Sequence, residues 1–463
     1  MAGKKISELD QVQELTGQEL LPFAADTQNG SFKTQIIIDI INSAIEQAIQ
    51  DYDESVPKID IESELEKISF DIINVVHHGI VEGLDADPEE NKIAFQNILD
   101  TYGDDKKIYF PHGSFVINPG IDLGEKRNIT IIGYSSNFAS FAQKNINTGQ
   151  ITDTFTKVIC GKNTYENFFN HKSCILVLDK IGFYNCLITD GVINTGKEAK
   201  TNTLMQHTRS EDAKKNVEKG KVFCTDCGFF GWKVAFGSDF TMQHLEDEWA
   251  TGRVAEEYEY YKQSCVIASR CRFTRNGIGV NQPVDGRLID CSFNKNDYAI
   301  VLRENSGFST ISGCRIEWNI HNGIYCEKAH EVTVVDCEFD CNGKAGLYAI
   351  ENTMSNFSNN IFRRNGAYVK SLEDESHKNN YIENVHIFAD KNINCNFIGN
   401  NTLCKAISDV GSAPERPTNC TCFSNNQYCI VSLNNLHGCT KGNKENANAF
   451  VDNIDCFTDN NII

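Results

Sequence analysis

One phrase returns along the second half of the chain, and its spacing limits the fold more than any other feature. It reads DCGFFGW at 226–232, RCRFTRNG at 270–277, DCSFNKND at 290–297, GCRIEWN at 313–319, DCEFDCNG at 336–343, NNIFRRNG at 359–366 and NCNFIGNN at 394–401. CTCFSNN at 420–426 and DCFTDNN at 455–461 are weaker returns. The anchors Phe293, Ile316, Phe339 and Phe362 stand 23 residues apart, with a small residue two before nearly every anchor and Asn three after. Residues i and i+2 of a strand face the same side. Cys227, Cys271, Cys291, Cys314, Cys337 and Cys395 are therefore expected to point inward beside their anchors, stacked in one column of small hydrophobes. The Asn after each anchor suits a left-handed turn position, and Asn-Gly at 276–277, 322–323, 342–343 and 365–366 strengthens that turn. A second short strand follows: GIGV at 277–280, YAIVL at 298–302, GIYC at 323–326 and GLYA at 346–349. Strand, bend and strand every 20–26 residues predicts an all-β chain, a right-handed parallel β-helix in which each coil buries its core against its neighbours. A β-sandwich would not hold Cys, Phe and Asn in one register.

A stacked repeat also removes the need to divide 463 residues into about three ordinary domains. Cysteine is abundant, 19 in all, yet the start MAGKKISELDQ is no secretory signal, so a disulfide framework is not expected. Cys224-x-x-Cys227 has no second CxxC to complete four ligands, and His207 and His244 match no ligand spacing. No metal site is expected. The net charge of −20, from 63 acidic and 43 basic residues, repels nucleic acid and anionic membranes. No apolar run reaches the roughly 20 residues needed for membrane insertion. Neutral glycans and proteins remain as partners.

Ahead of the repeats, Asp87-Pro88-Glu89-Glu90 is a helix start with Asp as cap, Pro at the first position and acids in the first turn. That helix is expected through Ile93, Phe95, Ile98 and Leu99 to Gly103, followed by strands at Lys107–Phe110, Ser114–Ile117 and Asn128–Ile132. The order NVVHHG at 74–79, helix at 88–102, YFPHGSFVI at 109–117 and ITIIGYSS at 129–136 resembles the opening of the pectate-lyase-like superfamily, which includes pectin-degrading enzymes and phage tailspikes. It departs from that pattern at EGLDADPEEN, residues 82–91. There, a strand ending in Gly, here closed by His77-His78, precedes a short helix that caps the β-helix. Residues 5–37 resemble a leader found on phage fibre and appendage proteins, which usually anchors the protein to the virion. Two segments follow with heptad-like spacing: Ile38, Ile41, Ile45 and Ala48, then Ile61, Leu65, Ile68 and Ile72. They fit either a coiled-coil seam or helices folded back on the body. The expected organisation is a virion-anchoring leader at 1–35, a helical stem or linker at 36–71, the capping helix and first coils at 72–136, and the β-helix at 137–463. Loop insertions fall near 238–262, 370–381 and 437–449.

The resemblance implies a virion protein, made in the host cytoplasm, that forms a homo-oligomer, a trimer by analogy with spikes, and meets other virion proteins through residues 1–35. The last repeat, DCFTDNNII, leaves open strand edges that call for a partner at the C-terminal end. Two functions are weighed: a structural appendage binding host surface polysaccharide, and a depolymerase that cleaves it. For cleavage, Asp336, Glu338 and Asp340 should point outward because Cys337 and Phe339 point in. Arg315 and Glu317 occupy the matching positions one coil earlier. Glu317 and Asp340 could serve as acid and base, with Glu338 close by, Arg315 as substrate clamp and Trp318 stacking on a sugar ring. The competing expectation is a solvated sheet face on which Arg315 neutralises Glu338 across the ladder. Trp249, Tyr258 and Tyr260 in the loop at 238–262 are further glycan-binding candidates. No cofactor is expected; Ca2+ enters only if the chemistry is a lyase.

Overall fold

The computed structural model describes residues 72–104, 106–124, 127–134, 156–162, 164, 166–171, 174–189, 192–198, 202–207, 221–237, 265–283, 285–303, 306–366, 385–403, 421–432, 434–436, 448–451, 453, 455 and 456. The leader, the segment at 36–71 and almost all of the three loop insertions lie outside the described residues.

Three parallel sheets wind along the chain. Among the described residues sheet 1 has 12 strands, from Ile72–Asn74 to Ile430–Ser432. Sheet 2 has 11, from Gly113–Ile117 to Asn435–Leu436, and sheet 3 has 11, from Ile121–Asp122 to Asn448–Val451. One coil runs Thr310–Ser312 in sheet 1, Arg315–Glu317 in sheet 2 and Ile324–Glu327 in sheet 3, and the next opens at Thr333–Val335. Crossovers between parallel strands are overwhelmingly right-handed, and the chain is a right-handed parallel β-helix. Each coil has three strands where the sequence predicts two. From Arg287 onward the additional strand is the triplet before each first-corner residue (TIS, TVV, NFS), with a single inward residue. Three residues are too few to display a period of two.

The anchors behave as their spacing predicts. Phe293, Ile316, Phe339 and Phe362 are successive register partners in sheet 2, all fully buried. Phe273 and Phe293 stack with centroids 4.6 Å apart, as do Phe339 and Phe362. Full burial of each such side chain stabilises the fold by roughly 2–3 kcal/mol. The strands GIGV, YAIVL, GIYC and GLYA form sheet 3.

The corners correct two expectations. The left-handed residue is the one before Asn: Arg275, Lys295, Trp318, Cys341 and Arg364 have φ between 54° and 57°. Asn276, Asn296, Asn319, Asn342 and Asn365 are instead buried. Each amide Nδ2 donates to the Oδ1 of the Asn one coil on, at 3.0, 3.0, 2.8 and 2.7 Å along the series. A buried corner amide satisfies the inward backbone groups that an apolar side chain would orphan. At 277, 323 and 343 the glycine after Asn is needed for room, whereas Gly366 takes a left-handed φ of 76°. Gly323 has no left-handed φ, and a Cβ there would stand 2.6 Å from the Gly346 carbonyl oxygen.

The cysteines also divide. Cys227, Cys271, Cys291, Cys314 and Cys337 share the corner between sheets 1 and 2, and Asn360, Asn400 and Asn434 take the same place in later coils. Cys395 is elsewhere. It lies with Cys429 and Cys456 at the corner leading into sheet 1, where the Cys395 amide donates to Cys429 Sγ at 3.4 Å and the Cys429 amide to Cys456 Sγ at 3.4 Å. Phe397 accordingly stacks on Phe357, not on Phe362. The same local pattern (inward residue, outward residue, left-handed residue, buried Cys or Asn) serves several corners, so the phrase alone does not fix its place in the coil. Cys224 and Cys227 are core residues and free thiols.

The first coils are closed by helix α1, Pro88–Tyr102. Asp87 Oδ1 accepts from the amides of Glu89 and Glu90 at 2.8 and 3.3 Å. Phe95, Ile98 and Leu99 enter the core. Buried Asn91 holds the preceding loop, accepting from the Val81 amide at 2.7 Å and donating to the Val81 and Val116 carbonyls. Residues 74–79 are not one strand: Ile72–Asn74 ends in a 3₁₀ turn, Val75–His78, closed by left-handed Gly79. His78 packs edge-on against Tyr102 at the end of α1.

Candidate functional site

Sheet 2 carries the predicted carboxylates on its outer face because Ile316 and Phe339 take the inner one. Arg315 is the register partner of Glu338, and Glu317 of Asp340. The positional prediction from the 23-residue spacing therefore holds, but the pairing does not follow the ladder. Arg315 Nε reaches Glu317 Oε2 on its own strand at 2.9 Å, and Glu338 pairs with Arg363 from the following coil. Alternate residues of one strand share a face, and the long Arg315 side chain spans that step.

Burial separates the carboxylates. The Glu317 side chain is 12% exposed and also accepts from Asn294 Nδ2 at 2.8 Å, while Arg315 is 58% exposed. Asp340 points outward yet is only 2% exposed, because Arg364 lies over it. Arg364 Nε donates to Asp340 Oδ1 at 2.6 Å, and its Nη2 donates to Oδ2. This two-point contact raises the Arg364 pKa above its ordinary value. Beside it the Cys341 thiol is pushed up to about 12, first by burial and then by the Asp340 charge. Arg272, two coils before Arg315 on the same face, is lowered by burial, with the Glu317 carboxylate opposing that shift. Asp336 occupies a left-handed corner (φ 54°) and not the strand. Trp318 is half-buried at the end of the Arg315–Glu317 strand, with φ 56°.

Arg363 and Arg364 were not among the predicted residues, although NNIFRRNG places them one and two after Phe362, as Asp340 and Cys341 follow Phe339. With them, the face is a fixed lattice of guanidinium and carboxylate groups on rigid strands. Both oxygens of Asp340 are held and Glu317 has two donors, so the lattice is better built to hydrogen-bond hydroxyl groups than to pass a proton between free carboxylates.

Trp249, Tyr258 and Tyr260 lie outside the described residues. The described aromatic array is instead on the outer face of sheet 3, where Tyr325, Tyr348 and Phe388 stack with centroids 5.2 and 5.0 Å apart. Tyr325 and Tyr348 are buried there. Among the described residues no three His, Cys, Asp or Glu side chains gather as metal ligands, and no helix is long and apolar enough to cross a membrane.

Residues 260–405 match a family described as right handed beta helix region. Solved structures share the architecture. DFA-IIIase from Arthrobacter chlorophenolicus A6 is 10% identical, over 79% of this chain and 87% of that one, with a TM-score of 0.51. PfbA, a surface adhesin of Streptococcus pneumoniae, is 11% identical over 79% and 84%, with a TM-score of 0.47. The enzymatically active domain of tailspike protein 2 from Bacteriophage CBA120 is 12% identical over 83% of this chain and 46% of that one, with a TM-score of 0.44. At such identities the likeness is one of fold.

Proposed function

We propose that this chain is a carbohydrate-binding β-helix protein, an appendage of a phage particle, that holds bacterial surface polysaccharide along the outer face of sheet 2. The observation that carries the reading is the ordered lattice of Arg315, Glu317, Glu338, Asp340, Arg363 and Arg364 beside Trp318. Such a surface offers fixed donors and acceptors for sugar hydroxyls and an indole for the apolar face of a ring. The negative chain as a whole favours a neutral glycan over an acidic one. Assignment to a virion rests on the resemblance of residues 5–37 to appendage leaders, with anchoring to other virion proteins through residues 1–35.

A second reading has one observation in its favour. Glu317 and Asp340 sit on adjacent strands, about 4.8 Å apart along the stack, near the ~5 Å separation of a retaining glycosidase. One experiment addresses both readings. Purified protein is titrated with surface polysaccharides from a panel of bacteria, with binding read by calorimetry and cleavage by reducing and unsaturated sugar release. Binding weakened at least about tenfold by Arg315→Ala or Trp318→Ala, without sugar release, is the expected result. Release abolished by Glu317→Gln or Asp340→Asn would make the protein a depolymerase. Binding that survives all four substitutions would remove sheet 2 as the site.

A further inference from the structure

The corner between sheet 3 and sheet 1 carries a second group of reactive side chains, apart from the sheet 2 lattice. His330 and Thr353 are register partners in successive coils, and Thr353 Oγ1 lies 2.8 Å from His330 Nδ1. The other ring nitrogen, Nε2, lies 3.0 Å from Glu331 Oε1. A hydroxyl, an imidazole and a carboxylate are thus joined in one chain of contacts. Their chemistry fixes the order of the protons. A carboxylate only accepts, so in the neutral imidazole the ring proton is assigned to Nε2, where it donates to Glu331. Nδ1 is then an acceptor, and the Thr353 hydroxyl donates to it. A nucleophile, its general base and the group that orients the base stand in this order.

The backbone holds the three in place. The Thr353 amide donates to the Ala329 carbonyl at 3.0 Å, and the Glu331 amide to the Thr353 carbonyl at 3.0 Å. Glu331 has a left-handed φ of 53°, which breaks the alternation that would send neighbouring side chains to opposite faces. The group is also reachable, with the His330 and Glu331 side chains 38% and 39% exposed. Phe308 and Met354 take the position of Glu331 in the coils before and after it, roughly 9.6 Å apart, and are 59% and 53% exposed. The Phe308 ring meets His330 edge-on at 6.1 Å, and Gly307, in register with His330, adds no side chain. A notch with apolar walls is left above the imidazole, bordered beyond Thr353 by Ile393.

We infer that Thr353, His330 and Glu331 form an acyl-transfer site that hydrolyses uncharged esters of short carboxylic acids. Thr353 Oγ1 bonds to the ester carbonyl carbon as its proton passes to His330 Nδ1. The carbon–oxygen bond to the alcohol then breaks, and the leaving oxygen takes that proton. In the second half water attacks the acyl-threonine, its proton passing to His330 and from there to the Thr353 oxygen as the acid leaves. Ester and water are consumed, alcohol and carboxylic acid are released, and no other reactant enters. Glu331 is a positioning residue that holds the ring and stabilises the imidazolium formed in each half. Phe308 and Met354 hold the acyl chain. The Thr353 amide is committed to Ala329, so the group works through general base catalysis, an acceleration of roughly 10²–10⁴-fold. This inference does not depend on polysaccharide binding at sheet 2, which uses none of these residues.

The test is hydrolysis of p-nitrophenyl acetate by the full chain, with the acylated residue located by mass spectrometry after an acid quench. A rate roughly 10²–10⁴-fold above buffer, with an acetyl group on Thr353, is expected. Thr353→Val keeps the shape of the side chain and removes the hydroxyl. It and His330→Gln should each lose roughly 100-fold with circular dichroism unchanged, whereas Thr353→Ser should retain the activity. Glu331→Gln should lower kcat and leave KM, and Phe308→Ala with Met354→Ala should raise KM for the butyrate ester and leave kcat. A rate no higher than that of buffer would overturn the inference, as would undiminished activity in Thr353→Val. So would an acetyl group found only on other residues, because the hydrolysis would then belong to scattered surface nucleophiles.

Discussion

Replacing Asn342 by Leu keeps the number and branching of side-chain heavy atoms and removes one rung of the buried amide ladder. In the native coil Asn342 Nδ2 donates to the Ile316 carbonyl at 3.0 Å and to Asn365 Oδ1 at 2.7 Å. Its Oδ1 accepts from the Asn319 Nδ2 and backbone amide at 2.8 and 3.3 Å. Leucine leaves the Ile316 carbonyl and the Asn319 backbone amide without these partners, while Asn365 Oδ1 keeps the Asn342 backbone amide. Each orphaned buried group costs about 1–3 kcal/mol. Partly offset by the apolar transfer of leucine, the expected loss is roughly 3 kcal/mol, concentrated in the coils on either side because a solenoid couples nearest neighbours. Urea denaturation followed by circular dichroism gives the global loss, and hydrogen exchange at the Asn319 amide gives the local one. The control is Asn356→Ala on the outer face of sheet 1, where the amide reaches only Ser358 Oγ and a change within ~0.5 kcal/mol is expected. Equal losses for the two variants, or unchanged protection at Asn319, would refute the ladder argument.

Buried His386, whose pKa burial pushes down to about 3, accepts at Nδ1 from Asn365 Nδ2 at 3.3 Å, so its neutral form is the folded one. Its contribution is complete above the unfolded value near 6.5 and falls by about 1.4 kcal/mol per unit as pH drops from there toward 3; His386→Leu should flatten that part of a stability-versus-pH curve. Gly323→Ala forces a methyl against the Gly346 carbonyl and should cost about 1–3 kcal/mol by thermal denaturation, whereas Gly307→Ala, with its nearest carbonyl 3.4 Å away, should be far milder. Burial pushes the Cys160 and Cys174 thiols up to about 12. With Cys224 and Cys271 raised in the same direction, these four should resist a thiol reagent at pH 8 in the native protein and react once it is unfolded; rapid native labelling of Cys271 would contradict the packed corner. Asp87→Ala should destabilise α1 by ~1 kcal/mol through loss of its cap, seen as faster exchange of the Glu89 and Glu90 amides.

The solenoid was legible because its evidence is one-dimensional. A 23-residue period with an apolar anchor repeats whatever the coil surrounds, and Asp-Pro-Glu-Glu caps a helix through contacts within four residues. For the same reason the outward placement of Arg315, Glu317, Glu338 and Asp340 followed from which neighbours faced in. Sequence left open the matters decided between coils. The three-residue strands of sheet 1 from Arg287 onward have no periodicity of their own and exist because neighbouring coils supply their hydrogen bonds. NCNF at 394–397 and DCEF at 336–339 look alike but occupy different corners, since an insertion of variable length shifts the phrase around the coil while the local left-handed turn stays the same. Which arginine meets which carboxylate depended on side-chain reach across and along strands, which register alone does not set. The outer face of sheet 1 is likewise a tertiary fact: from Phe223 to Ser432 its residues come from eight separate strands of three to five residues, and only stacking at about 4.8 Å gathers them into one surface.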